Sequence, residues 1–314
     1  MENNYGIKKI VLVVTSSIDY TATYIIEKYK NKANFFRINV DRFMEYNITI
    51  RNGMWSIQHQ EEKICNKEVY AIYYRKPMLP DLNEYNVEYH IVIQRDIIAI
   101  INGIVDSFDG PVLTKPFLLR RAENKAFQLL YNKPNSCKMP KSYMGNDIES
   151  VLGIANGDII IKPISVGKIK KEDGFEIYQT AIWDKNIINE ISDIKLTPIY
   201  TQEYVAKKYE ARITIIGTAV FGVSIISGNK VDWRADYRRL KYKLIDIPNE
   251  IRDYCFQLMK IMELEFGAFD FIITEEDEWF FLEVNPNGQW LWLEEELGIN
   301  ISEKIVDYLL GEKV

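Results

Sequence analysis

The chain contains little histidine and cysteine, and this scarcity narrows the chemistry available to it. Of its 314 residues, two are His and three are Cys. Cys65, Cys137 and Cys255 are odd in number, far apart and never arranged as CxxC, which excludes a disulfide framework and a zinc ribbon. His59 and His90 fit no catalytic or metal-binding spacing. We therefore expect reduced thiols and a location in the cytoplasm.

Long apolar runs and an excess of positive charge are also missing. No stretch approaches membrane-spanning length, and the apolar run near the N-terminus is too short for a signal peptide and lacks a cleavage site. The formal net charge is −6, from 45 acidic and 39 basic residues. This balance argues against a sequence-independent nucleic-acid or membrane binder. The hydrophobic content of 47% is that of a packed globular protein with room for two or three lobes.

The common nucleotide-binding signatures are absent. No GxGxxG follows the first predicted strand, there is no Walker P-loop, and neither histidine precedes the Arg-Asp of a kinase catalytic loop. The sequence therefore excludes a dinucleotide fingerprint, a P-loop enzyme and a protein kinase.

The first third of the chain predicts a parallel sheet. A strand over 10–14, a helix and a second strand over 35–39 form a βαβ opening. Another buried strand ends at Arg75, and strand ends are where open α/β sheets place functional groups. A long helix over 88–108 then closes at a turn. We place the first domain at 1–112.

The remainder predicts two further domains, at 113–199 and 200–314. The first begins with a helix over 120–134, contains a short strand that ends in Lys162, and closes with a helix over 184–195. In the second, three antiparallel strands follow residue 198. An amphipathic helix, a hairpin and a C-terminal helix complete the chain.

The hairpin holds the most informative pattern of the sequence. Side chains alternate along a strand, so Glu283 and Asn285 share a face, and Asp270 on the partner strand points away from its aromatic neighbours. Burying such carboxylates requires a cation or an arginine. Oxygen ligands without His or Cys suit magnesium. Taken alone, the pattern is also compatible with acids that pair with Lys or Arg or that face water.

Positive charges and a polar strand edge precede the hairpin. Lys125 opens a helix, Lys162 ends a strand, the segment 202–205 has the character of a hinge strand, and Arg212 follows within the next strand. A nucleotide-using enzyme needs such charges for the phosphates. Arg212, between apolar residues, requires an anionic partner, either Glu210 or a phosphate.

These motifs in this order resemble the ATP-grasp superfamily. More narrowly, RRAENKAFQLL, IIKP, EYV followed by EAR, and FLEVNPNGQW resemble the graspetide (microviridin-type) macrocyclases, which modify ribosomally made peptides. The resemblance implies an α/β protein built of α+β lobes with the ATP-grasp fold. It comprises an N-terminal βαβ pre-ATP-grasp domain, a small central α+β domain and a C-terminal α+β domain with an antiparallel sheet.

The resemblance also implies roles for individual residues. Lys125 and Lys162 contact ATP phosphates, Glu203 accepts from the adenine amino group, and the backbone of Tyr204 and Val205 pairs with the ring. The remaining assignments are Gln202 and Glu210 at the nucleotide, Asp270, Glu283 and Asn285 at Mg²⁺, Arg212 and Arg234 in catalysis, and Arg75, Arg238 and Arg239 at the substrate. Glu210 departs from the aspartate expected in an Asp-x-Arg pattern.

The implied reaction consumes ATP. The γ-phosphate passes to an Asp or Glu side chain of a precursor peptide with a leader and a core, and a Ser or Thr hydroxyl or a Lys amine attacks the acyl phosphate. The implied assembly is a homodimer without nucleic-acid or membrane partners. Two alternatives stay open: another ATP-grasp carboxylate–amine ligase, which joins amino acids or extends a protein tail, and a nucleotide-binding protein without catalysis.

Overall fold

A computed structural model describes most of the chain. The described residues are 8–131, 137–147, 149–150, 158–165, 168–171, 174–177, 180–183, 195–231 and 240–314. Within these ranges, no helix is both long and apolar enough to cross a lipid bilayer.

The N-terminal part contains the predicted parallel sheet, in the strand order β2-β1-β6-β7. Its elements are β1 (Ile10–Thr15), α1 (Tyr20–Tyr29), β2 (Asn34–Asn39), β6 (Val69–Tyr74), α2 (Val87–Asp106) and β7 (Val112–Leu113). Alternate residues of β1 enter two apolar clusters: Leu12 packs with Ile97 and Ile101 of α2, while Val13 packs with Ile25 of α1. The sheet is therefore covered on both faces, as a parallel sheet requires.

A 3-10 helix (Val40–Glu45) leads from this sheet into a separate three-stranded antiparallel sheet. Its strands are β3 (Tyr46–Arg51), β4 (Met54–His59) and β5 (Glu62–Cys65). Trp55, Ile57 and Ile64 attach this small sheet to the cluster that contains α2.

The helix predicted around Lys125 is divided in two. α3 covers Pro116–Ala122, and α4 covers Lys125–Tyr131. Asn124 causes the break, because its Oδ1 accepts from the backbone N–H of Phe127 at 3.0 Å, as a helix-capping residue does. Lys125 is consequently the first residue of a new helix.

The central part has a four-stranded antiparallel sheet, ordered β12-β9-β13-β8, and a two-stranded ribbon. The strands are β8 (Ser142–Gly145), β9 (Ile159–Lys162), β10 (Lys168–Lys171), β11 (Gly174–Ile177), β12 (Ala181–Trp183) and β13 (Ile199–Glu203). Of the three strands predicted after residue 198, β13 joins this sheet and the other two join the next one. The helix predicted over 184–195 lies outside the described residues except for its end.

The C-terminal part is a five-stranded antiparallel sheet ordered β16-β15-β14-β17-β18. Its elements are β14 (Tyr209–Ile216), β15 (Ala219–Ile226), β16 (Lys241–Leu244), α5 (Asn249–Met262), β17 (Phe266–Ile273), β18 (Trp279–Asn285), α6 (Leu291–Leu297) and α7 (Ile301–Leu309). Ala211 and Ile213 of β14 pack with α5 on one face, whereas Ile216 and Ala268 pack on the other with residues of β1 and α7. The N-terminal and C-terminal parts thus share an apolar core. The domain limits after residues 112 and 199 stay predictions.

A buried carboxylate joins α1 to the two C-terminal helices. Glu294 accepts from the backbone N–H and hydroxyl of Ser302, each at 2.6 Å, from Lys28 Nζ at 2.7 Å and from the Tyr24 hydroxyl at 2.8 Å. Burial raises the pKa of Glu294, but the hydrogen bonds from Lys28 and Ser302 outweigh it, and the net pKa is lowered. The ionised form therefore stabilises this junction.

Candidate active site

The hairpin of β17 and β18 brings two of the predicted metal ligands face to face. Asp270 pairs with Glu283, and Ala268 pairs with Asn285. A bulge follows Asp270 and leaves Leu282 without a paired residue on β17. The side chains of Asp270 and Glu283 are 10% and 26% exposed. The register thus places Asp270 opposite Glu283, and the metal-binding role of these residues and of Asn285 stays a prediction.

Arg212, on the neighbouring strand β14, is the cation beside Asp270. The two residues are paired across the strands, and Nε lies 2.9 Å from the Asp270 carboxylate. Arg212 is 4% exposed, and its buried Nη1 has no hydrogen-bond partner in the described part of the chain. The anion beside Arg212 is therefore Asp270, whereas the sequence pointed to Glu210 or a phosphate. The buried Nη1 donor leaves capacity for a further acceptor.

The turn after β18 lies directly against Arg212. The Asn285 Oδ1 accepts from the backbone N–H of Asn287 at 3.1 Å, which closes the turn. A Cβ added to Gly288 would lie 2.6 Å from the Ala268 Cβ and 3.2 Å from Arg212 Nη1. Only a glycine lets the turn approach this closely.

Two lysines from the central part reach the same hairpin. The Lys125 Nζ donates to the Pro163 carbonyl at 2.8 Å and lies 3.8 Å from the Glu283 carboxylate. The Lys162 Nζ donates to Gln202 Oε1 at 2.6 Å. One cleft is lined by Lys125, Gln128, Leu129, Met139, Lys162, Tyr200, Leu282 and Glu283. Both predicted phosphate-binding lysines thus share a cleft with a predicted metal ligand.

The segment 202–205 forms the edge of this region. Gln202 is 1% exposed and donates to the Ser142 hydroxyl at 2.9 Å, so it holds Lys162 in a fixed place. The Glu203 carboxylate accepts from the backbone N–H of Lys141 at 3.4 Å. The Tyr204 N–H donates to the Asp158 carbonyl at 3.0 Å, which leaves only its carbonyl for an adenine. Val205 follows β13, and its backbone forms no hydrogen bond with the backbone of any described residue.

Glu210 pairs with a lysine that sequence reasoning missed. The Lys207 Nζ lies 3.1 Å from the Glu210 carboxylate, and both side chains are less than a tenth exposed. The spacing of three residues between the lysine and the acid could have predicted this ion pair. The predicted contact of Glu210 with the nucleotide stays a prediction.

Arg75 lies inside the junction between the N-terminal sheet and the hairpin turn. It is 1% exposed, its Nε lies 3.2 Å from the Asp19 carboxylate, and its Nη2 donates to the side-chain oxygen of Gln289. Gln289 directly follows Gly288, so Arg75 holds the turn that packs on Arg212. Its assignment to the substrate stays a prediction, although the structure places it as a support of the site.

Lys76, the next residue, was not assigned a role from the sequence. It adopts a left-handed backbone conformation with φ of 44°. Partial burial and the positive charges of Arg75 and Arg212 lower the pKa of its amine. Arg75 and Lys76 at the end of β6 and Arg212 on β14 are therefore close enough for their charges to interact. The predicted Arg234, Arg238 and Arg239 lie outside the described residues.

The donor set of the hairpin fits magnesium. Among the described residues, no group of three or more His, Cys, Asp or Glu side chains is arranged to hold a metal ion. The predicted set has two carboxylates, Asp270 and Glu283, and one amide, Asn285. Magnesium in nucleotide sites commonly takes one or two carboxylates together with substrate phosphates and water, and not an all-protein cage. The set is therefore sufficient for a metal held jointly with a nucleotide.

A family model and several solved structures are similar to this chain. The model of the RimK-like ATP-grasp domain matches residues 122–309. A Chryseobacterium gregarium RiPP-associated ATP-grasp ligase, solved with ADP and a leader and core peptide, superposes with a TM-score of 0.87 at 23% identity over 98% of each chain.

Two further solved structures show the range of the similarity. The macrocyclase MdnC of Microcystis aeruginosa MRC, solved with the precursor peptide MdnA, gives a TM-score of 0.87 at 25% identity over 96% of this chain and 100% of that one. D-alanyl-alanine synthetase A of Vibrio cholerae gives 0.64 at 12% identity over 98% of each chain. No curated protein sequence matches the chain significantly.

Proposed function

The chain belongs to the RimK-like ATP-grasp family, and from that premise we propose that it is an ATP-dependent maturase of a ribosomally made precursor peptide. It activates Asp or Glu side chains of the peptide as acyl phosphates. It then joins them to Ser or Thr hydroxyls or to Lys amines, which gives ester or amide macrocycles. The ATP-grasp fold predicted from the sequence is confirmed by the similarity to ATP-grasp ligases over nearly the whole chain.

The convergence of opposite charges in one cleft carries the proposal. Lys125 and Lys162 come from the central part, and Glu283 comes from the hairpin of the C-terminal part. Such a pairing binds a polyphosphate on one side and its counter-ion on the other. The whole-length similarity to two ligases solved with peptides supports a peptide as the second substrate.

The first step is phosphoryl transfer. A carboxylate oxygen of the peptide attacks the γ-phosphorus of ATP, the bond to the bridging oxygen breaks, and ADP leaves. Lys125 and Lys162 hold the phosphates in line with the attacking oxygen. Magnesium, when bound by Asp270, Glu283 and Asn285, supplies charge neutralisation for the phosphates.

The second step forms the ring. A hydroxyl or amine of the same peptide attacks the acyl carbon, the bond between that carbon and the phosphate oxygen breaks, and inorganic phosphate leaves. The proton of the nucleophile leaves with the phosphate or enters solvent. Arg212, with an unsatisfied Nη1 donor beside the metal ligands, stabilises the negative charge that develops on the oxygens.

Recognition of the peptide belongs to the same proposal. A bound leader raises the effective concentration of the core at the cleft, so weak core contacts suffice. The basic run that includes Arg238 and Arg239 is assigned to attract an acidic peptide segment. A homodimer and a location in the cytoplasm are further parts of the proposal.

The test is incubation of the purified protein with ATP, Mg²⁺ and short peptides encoded beside its gene. The expected peptides carry Thr, Ser or Lys together with Asp or Glu in their C-terminal half. Mass spectrometry should show the loss of one water per bond formed, with release of ADP and phosphate. A gain of an amino-acid mass would instead identify the alternative ligase, and ATP binding without consumption would identify a non-catalytic protein.

A further inference from the structure

An exposed apolar surface lies at the carboxyl edge of the parallel sheet. The strands β2, β1 and β6 are neighbours in that sheet and run in the same direction, so the segments that follow them meet at one edge. Four large apolar side chains on these segments are between 45% and 76% exposed, and we call them the carboxyl-edge surface: Ile18, Met44, Met78 and Tyr85. Exposed apolar side chains that gather at one edge are typical of a binding surface.

Contacts between the segments fix the shape of this surface. The Tyr85 hydroxyl donates to Met44 Sδ at 3.2 Å. The Ser17 backbone N–H, next to Ile18, donates to Asp41 Oδ1 in the 3-10 helix at 2.7 Å. The segments are therefore held together before any ligand binds, which lowers the conformational entropy that binding costs.

The carboxyl-edge surface continues into the candidate active site. Asp19, which directly follows Ile18, lies 3.2 Å from Arg75 Nε. Arg75 in turn donates to the side chain of Gln289 in the turn after β18. A ligand that lies on this surface can therefore extend to the turn beside the predicted metal ligands.

A cation at the active-site end of the surface indicates the charge of its ligand. Lys76 forms no hydrogen bond or ion pair with any described residue. Burial lowers the pKa of its amine, and the nearby charges of Arg75 and Arg212 lower it further. Asp19 and Glu123 oppose this shift, but the net pKa is lowered. An anionic group beside Lys76 would therefore meet a cation whose charge is incompletely compensated.

We propose that the carboxyl-edge surface binds the core of the precursor peptide, with Lys76 holding the carboxylate that is to be activated and the four apolar side chains contacting the apolar residues beside it. Methionine adapts its shape to different apolar partners, so this surface accepts more than one core sequence. The substrate class is a peptide whose reacting Asp or Glu residues are flanked by apolar side chains. This inference rests on the proposed function and adds the recognition of the core to it.

An anionic membrane or a nucleic acid fits this edge less well. The exposed acids Asp81 and Glu84 lie on the segment after β6, and the net charge of the chain is −6. These charges repel a polyanion. A peptide with isolated carboxylates needs only a single cation at the active-site end, which Lys76 supplies.

The test follows methionine methyl groups by NMR. The full chain is labelled with [¹³C-methyl]methionine, and the signals of Met44, Met54 and Met78 are assigned by replacing each with leucine. The probe is a synthetic peptide with Leu and Phe beside its Asp and Glu residues, and a matched peptide has Ser in place of Leu and Phe. The signals of Met44 and Met78 should shift with the first peptide, and the matched peptide should bind about tenfold or more weakly. Met54, which is 51% exposed on β4, is the control and should not shift.

Variants separate this inference from the proposed function. Ile18→Ser combined with Met44→Ser should raise the KM for peptide about tenfold or more with unchanged ATP affinity, and Met54→Ser should change neither. Lys76→Met should raise the KM in the same way, whereas Lys76→Arg, which keeps the charge, should retain most of the peptide affinity. Circular dichroism checks that every variant is folded.

The outcomes of the two experiments are distinguishable. Ring formation without shifts of Met44 and Met78 would overturn the inference and leave the proposed function standing. Peptide-induced shifts at both methionines without ATP consumption would support the surface but contradict the maturase. A Met54 shift as large as the other two would indicate nonspecific contact and overturn the inference. Co-flotation with phosphatidylglycerol vesicles that Ile18→Ser with Met44→Ser abolishes would overturn it in favour of a membrane.

Discussion

Replacing Arg212 by lysine separates the catalytic role proposed for this residue from a structural one. Lysine retains a positive charge near Asp270 but loses the planar fork of donors, including the buried Nη1 that has no partner among the described residues. A well-placed donor to a developing oxyanion is worth about 2.7–4 kcal/mol, which corresponds to about a 10²–10³-fold change in rate. We therefore expect Arg212→Lys to lower kcat by that factor while ATP affinity changes little.

A second variant at the same position measures the structural contribution. Arg212→Met leaves the Asp270 carboxylate, whose side chain is 10% exposed, without its cation. Removing one partner of a buried ion pair costs about 3–5 kcal/mol, so this variant should unfold at clearly lower denaturant concentration. Arg212→Lys should lose much less stability, because the charge remains.

The assays are ring formation by mass spectrometry, ATP affinity by titration and unfolding by denaturant. Arg121→Lys is the matched control, since Arg121 forms an exposed pair with Glu263 at 3.1 Å that is worth little. Wild-type turnover in Arg212→Lys would refute the catalytic role. A collapse of ATP affinity in step with the rate would move Arg212 to the phosphate site.

Three further outcomes are expected. Glu283→Gln keeps the size of the side chain but removes the charge of a proposed metal ligand, so it should lower turnover about a hundredfold or more with folding intact. Glu278→Gln, at the exposed end of the hairpin, is the control. Equal kinetics of the two variants would show that Glu283 is not part of the site. Glu294→Gln should lower the free energy of unfolding by about 1.5–3 kcal/mol at neutral pH. Because the folded-state pKa of Glu294 is below its ordinary value of 4.5, the loss should be full above that pH and shrink as pH falls through the lowered pKa; a difference that does not depend on pH would contradict the ionised form. Reversing the charges of Arg238 and Arg239 together should raise the KM for peptide without changing ATP affinity, and an unchanged KM would leave that run as a solvated surface.

The sequence predicted the relative positions of site residues best where they lie on the two strands of one hairpin. Strand alternation and a turn after Asn285 predicted that Asp270 and Glu283 meet, and the register confirms it. Sequence spacing did not identify Asp270 as the partner of Arg212, because the two residues lie on strands that are far apart in sequence but adjacent in the sheet. The sequence had left two candidates open, Glu210 on the same strand and a phosphate.

Local sequence patterns could not predict contacts between residues that are far apart in the chain. Arg75 reaches Gln289 across 214 positions of sequence, and no periodicity encodes such a pair. The assignment of Arg75 to the substrate, made from its place at a strand end, stays a prediction. The helix predicted as continuous over 120–134 is divided at Asn124, and the helix-capping preference of Asn was the local feature that could have predicted this break.

The most direct test of the reaction follows the oxygen of the activated carboxylate. A precursor peptide whose Asp and Glu side chains carry ¹⁸O is incubated with the protein, ATP and Mg²⁺, and the released phosphate is analysed by mass spectrometry. Attack of the carboxylate on the γ-phosphorus, followed by loss of phosphate from the acyl carbon, predicts one ¹⁸O in the phosphate and one ADP for each bond formed. Release of AMP carrying the label, or of phosphate without it, would contradict activation of the peptide as an acyl phosphate.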